Sequence, residues 1–147
     1  MTRTWFALAM TALVIAPAMA DVSLKEKTER KEEEEILFKS THATNESCHS
    51  DIRGSFDWPS FAGELKRGGS HVGLNCATEL DKIDRMCRSE DGKEIAPVIA
   101  RKIKEFRCKG GGGRDGHLEF SGRTIIMSTS VEQEKQLDTR KFVLEHL

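Results

Sequence analysis

The sequence predicts an α+β fold: a small antiparallel sheet packed against a disulfide-clamped antiparallel helical hairpin, with a short C-terminal helix. Three observations carry that expectation. Cys76, Leu80, Ile83 and Cys87 recur at i, i+4, i+7 and i+11, which lines up one face of an α-helix. Ile95, Ile99, Ile103 and Phe106 repeat such a stripe just after a turn at Ser89-Glu90-Asp91-Gly92, so the two helices pair as a hairpin. Around them, Cys48, Ile52 and Phe56, then Leu118 and Phe120, then Ile125, Met127, Thr129 and Val131 fall on even steps between polar residues, the pattern of half-buried strands.

The N-terminus reads as a targeting segment. Arg3 supplies a positive start, Trp5 to Ile15 is an apolar run, and Ala18-Met19-Ala20 has the small-x-small form of a cleavage site. Residues 1–20 are therefore expected to be a bacterial-type signal peptide cut after Ala20, giving a secreted or periplasmic protein. The run is shorter than the ~20 residues a membrane-spanning helix needs, so no stable membrane insertion is expected after cleavage. The whole chain has a formal charge of −1, and losing Arg3 takes it one unit lower. Neither value gives a general pull toward nucleic acid or anionic lipid.

Residues 21–46 are expected to be a charged, disordered leader. LKEKTERKEEEE has almost no apolar residues, and a helix there has no hydrophobic stripe to bury. Residues 47–147 are expected to form one disulfide-stabilised domain. Its first strand runs over 48–56, with Gly54 on the buried face marking a bulge or a close approach. Asp57 then caps a short helix carrying Trp58, Phe61, Ala62 and Leu65, with Pro59 in its first turn and Gly68-Gly69 as its stop. Asn75 is read as the cap of the central helix, which ends near Arg88, and the second hairpin helix as spanning 93–107. KGGGGRDG (109–116) is irregular, two strands follow over 117–120 and 123–131, and Asp138 caps a final helix with Phe142, Val143 and Leu147.

Four cysteines in an exported chain are most simply two disulfides, and their spacing lacks the C-x-x-C and H-x₃-H pairs of a zinc site. Eleven residues of helix separate Cys76 from Cys87 by about 16 Å, well beyond the ~7 Å limit for Cα atoms joined by a disulfide. Of the two remaining connectivities, a hairpin turning near Asp91 places Cys76 opposite Cys108. The expected pairs are Cys76–Cys108, closing the open end of the hairpin, and Cys48–Cys87, tying the first strand to it.

Candidate chemistry is thin. The glycine run invites a phosphate nest with Lys109 and Arg114, but it lacks G-K-[ST] and leads into a strand, so a linker is expected. No histidine pair has metal-ligand spacing, and no metal or cofactor is expected. His71 and His117 are candidates for an acid–base pair, and Asp51, Asp57, Glu64 and Glu119 for a carboxylate pair. Lys102, Lys104, Arg107 and Lys109 form a basic patch without interleaved aromatics, read as a solvated helix face rather than a nucleic-acid site. FDWPSF concentrates aromatics in an aromatic-poor chain. Trp58 and Phe61 are read chiefly as core, and are also the candidate partner surface. The functional expectation is non-catalytic binding of a protein or cell-envelope partner; the alternative is a small secreted hydrolase using histidine or carboxylates.

Overall fold

The computed structural model describes residues 23–62 and 72–147. The expected signal peptide, together with Glu64, Leu65, Gly68, Gly69 and His71, lies outside them. The first element is a helix, α1 (Leu24–Cys48), where a disordered leader was expected. Its start is written locally: the Ser23 hydroxyl accepts the Glu26 N–H at 3.2 Å as an N-cap. Its buried face is the reason hydrophobic periodicity misses it. Glu33, Leu37, Ser40, Thr41, Thr44 and Cys48 share one helical stripe, and only Leu37 and Cys48 are apolar.

Those small polar residues let α1 lie close against α2 (Val72–Arg88) while satisfying each buried oxygen. The Ser40 hydroxyl reaches Ala77 O at 3.1 Å and Asp81 Oδ1 at 2.6 Å, and the Thr44 hydroxyl bonds Ser40 O at 2.9 Å. Partners advance along both helices in the same sense, from Glu33–Gly73 through Ser40–Ala77 to Cys48–Cys87, so α1 and α2 run parallel. Asn75 does not cap α2. It lies inside the helix and donates to Thr129 Oγ1 and Ser130 O, both at 3.2 Å.

After α1 come β1 (Arg53–Asp57) and a single 3₁₀ turn, Trp58–Phe61, in place of the expected short α-helix. Beyond α2, the turn leads to α3 (Gly92–Lys102), which is shorter than expected. The chain then becomes extended, and Phe106 and Cys108 point inward from β2 (Glu105–Lys109) while Glu105, Arg107 and Lys109 point away. Phe106 fits either a helical or an alternating pattern, and tertiary pairing decides for the strand. β3 (His117–Ser121), β4 (Thr124–Ser128) and α4 (Thr139–His146) complete the order, with Asp138 accepting the Lys141 N–H at 3.1 Å as the cap of α4.

The fold is α+β, but the sheet is mixed rather than antiparallel. Strand order is β1-β2-β4-β3, with β1–β2 and β2–β4 parallel and only β3–β4 antiparallel. One sheet face carries Phe56, Phe106, Cys108, Ile125 and Met127 into a core shared with Leu80, Ile83, Ile99 and Val143 from the helices. The disulfides join Cys48 to Cys87 and Cys76 to Cys108. They fasten α2 to α1 and to β2, not to α3: Cys48 ends a helix rather than opening a strand, and Cys108 lies on a strand rather than at a helix end. Two disulfides fit an oxidising, extracellular-type environment. Among the described residues no helix is long and apolar enough to cross a membrane.

Candidate functional site

β1 is an edge of the sheet, and its position under α1 defines a groove. Strand residues present their backbone groups alternately to the two sides. The Arg53 N–H donates to Lys104 O at 3.0 Å beside β2, so the N–H and C=O of Gly54 and Phe56 face the outer edge. α1 crosses above this edge at very short range. A Cβ on Gly54 would lie 2.5 Å from Thr41 Oγ1 and 3.0 Å from Leu37 Cγ, so the close approach expected at this glycine is present.

The resulting groove has a volume of about 620 Å³. From α1 it takes one continuous face, including Leu37, Phe38, His42 and Asn45, and from β1 it takes Arg53 to Phe56 together with Ile52. Phe38 is 66% exposed although it belongs to the only apolar trio in the charged segment, Ile36-Leu37-Phe38.

At one end the edge is already occupied. The Asn45 side chain donates from Nδ2 to Ile52 O at 2.8 Å and accepts the Ile52 N–H on Oδ1, also at 2.8 Å. This is the pair of bonds that a residue of a neighbouring strand would make. The Ser50 hydroxyl holds the amide in place by donating to the same Oδ1 at 2.7 Å. Ile52, Gly54 and Phe56 have the same parity, so Asn45 fills the first outward position and leaves the next two to the groove.

At the other end Trp58 anchors the 3₁₀ turn to α1. Its indole stacks on Phe56 with centroids 4.5 Å apart, donates to Glu34 Oε1 at 2.7 Å, and lies 5.3 Å from the Arg30 guanidinium. Phe61 is fully buried in the core. The surface expected from Trp58 and Phe61 is therefore not formed as a pair: one ring is core, the other is a half-buried strut, and among the described residues the exposed large aromatic is Phe38.

The remaining candidates do not converge. Asp57 and Glu119 sit on opposite edge strands, three strand spacings or about 14 Å apart, beyond the ~9.5 Å limit for a glycosidase carboxylate pair. Asp51 is paired with Lys104, whose hydrogen bond holds its carboxyl below the usual range. His117 is exposed at the start of β3. The expected basic helix face is dispersed, since Lys104 leaves the helix and Arg107 pairs with Glu105 on the sheet at 3.0 Å. The glycine run is a packed loop, not a nest: the Gly110 N–H donates to Ser60 Oγ at 2.7 Å and the Gly112 N–H to Thr129 O at 3.2 Å. Among the described residues no group of three or more histidine, cysteine, aspartate or glutamate side chains is arranged to hold a metal ion.

Comparison with protein families, curated proteins and solved structures finds no match to this chain.

Proposed function

We propose that this is an exported, disulfide-braced binding protein that takes up an extended segment of a partner polypeptide as an added strand along β1. The observation that carries the reading is the Asn45–Ile52 pair. A side-chain amide already makes strand-like bonds to this edge, and the two following positions, Gly54 and Phe56, offer the same N–H and C=O groups to the groove. Edge strands present such a row as a template for pairing, and strand addition draws affinity from main-chain bonds and specificity from alternate side chains.

The occupant is a bare segment rather than β1 of a second copy. α1 lies directly over the edge, as the Gly54–Thr41 approach requires. Adjacent strands are ~4.8 Å apart, whereas packed helices need about 8–10 Å between axes. Two-fold pairing of β1 with β1 forces two α1 helices into less room than they need.

The test is amide protection by NMR on the exported chain, titrated with extended peptides selected from a random display library. Strand addition slows exchange at the Gly54 and Phe56 amides, which face the groove, and the same peptides N-methylated at every second residue lose affinity. Selected peptides that bind equally well after N-methylation in each of the two phases overturn the reading. Export is tested separately by N-terminal sequencing of the protein from the extracytoplasmic fraction, where a mature chain beginning at Asp21 is expected and an intact residue 1–20 segment contradicts it.

A further inference from the structure

Resting on the strand-addition reading, we infer that the bound segment alternates apolar with acidic residues, and that Phe38 and Arg53 are the residues that select it. The pleat of the sheet sets both preferences. Residues of an added strand that sit opposite Gly54 and Phe56 turn their side chains to the helix side of the sheet, whichever way the strand runs. There they meet Leu37 and the exposed ring of Phe38, beneath α1. Apolar side chains at those positions cover a phenyl ring that the chain otherwise leaves in water.

The intervening residues turn to the opposite face, beside Arg53 and Ser55. Arg53 is exposed and makes no ion pair among the described residues. Its register neighbour, Glu105, is committed elsewhere: that carboxylate accepts from the Ser55 hydroxyl at 2.8 Å, from Arg107 at 3.0 Å and from Thr124 at 3.3 Å. Lys104 and Asp51 satisfy each other. Glu34, the carboxylate lining the groove, receives the Trp58 N–H. Arg53 is thus left as the uncompensated charge lining the groove; Asp57, of the same parity, lies beyond that lining at the far end of the edge. Opposite charges directly across a strand pair are favourable and like charges are not.

The test uses four end-capped heptapeptides: alternating valine and aspartate, alternating valine and lysine, and two forms of the valine–aspartate peptide, one N-methylated on its valines and one on its aspartates, so that one of the two blocks the bonds to the edge whichever way the strand runs. Binding is followed by NMR titration of the Gly54 and Phe56 amides. The valine–aspartate peptide is expected to bind at least about fivefold more tightly than the valine–lysine peptide. Arg53→Glu reverses that order and Arg53→Lys preserves it; residue 53 is solvent-facing, and unchanged melting confirms that the variants fold. Phe38→Ser weakens both peptides without altering their ratio. Equal binding of the two charged peptides, with loss on N-methylation, overturns the selectivity while leaving strand addition standing. Undiminished binding of both N-methylated peptides overturns strand addition itself.

Discussion

The Glu33 carboxylate accepts the backbone N–H of Gly73 at 2.6 Å, so a side chain on α1 serves the buried first turn of α2. Helix N-termini carry unsatisfied N–H groups and a partial positive charge, and a carboxylate answers both. Glu33 is one of the residues whose charge made the leader look unstructured, and it is buried where α1 meets α2. No larger residue than glycine fits at position 73, because a Cβ would lie 2.4 Å from Glu33 Oε2 and 2.7 Å from its backbone oxygen.

Both sides of that contact are expected to matter. Glu33→Ala removes a buried acceptor and should cost about 1–3 kcal/mol, and Gly73→Ala should cost a similar amount through overpacking. Urea midpoints report both. A Gly73→Ala protein as stable as the parent contradicts the close approach of the two helices.

The second buried carboxylate fastens the C-terminal helix. Glu79 is 2% exposed; it bonds Lys82 Nζ at 2.9 and 2.8 Å and accepts the Thr139 hydroxyl, while Lys82 also donates to Leu137 O at 2.6 Å. Lys82→Met alone strands that charge and should destabilise by about 3–5 kcal/mol. Lys82→Met combined with Glu79→Leu should recover most of the loss. Denaturation of both variants checks it, and equal loss in single and double variants refutes the account.

Acid stability should depend on Glu105. Burial alone raises its pKa, but hydrogen bonds from Ser55, Arg107 and Thr124 and the Arg107 charge outweigh it, leaving the folded carboxyl below its ordinary value of 4.5. The ionised form is therefore preferred in the folded state. Its stabilisation is fully present above the unfolded value and disappears as pH falls through the lower folded one. Glu105→Gln should lie below wild type at pH 7, with the gap closing on acidification below about pH 4.5. A pH-independent gap measured by urea melts contradicts this.

His49 closes α1 in the left-handed conformation, with φ at 50°. A side chain there costs about 1 kcal/mol that glycine avoids, less the extra freedom glycine gains when unfolded. His49→Gly is expected to raise stability by about 0.5 kcal/mol. A lower melting temperature identifies a side-chain role for this exposed histidine instead.

Removing the Cys48–Cys87 disulfide by paired substitution to alanine should cost about 2–5 kcal/mol and selectively loosen α1, since it joins the C-terminal ends of α1 and α2. Hydrogen exchange along 24–48 should then rise more than exchange in β2. Uniform loosening of both elements argues against that division.

Sequence alone determined whatever depends on the local repeat. A 3.6-residue stripe marks α2, period-two alternation marks β1, β3 and β4, and helical rise forbids pairing of Cys76 with Cys87. The disulfide partners also agree with the observed pairs, although the hairpin argument placed Cys108 at a helix end when it lies on a strand. The N-cap serine at Ser23 is a legible start for α1, but a stripe of glutamate, serine and threonine acquires value only when α2 supplies its partners. Only tertiary structure could decide that, as it decided whether Phe106 closes a helix or enters β2. It also decided that β1 lies at the sheet edge beneath α1, and hence that Phe38 and the outward groups of Gly54 and Phe56 share a groove. Periodicity records which face of an element is buried; it carries no record of which element lies against that face.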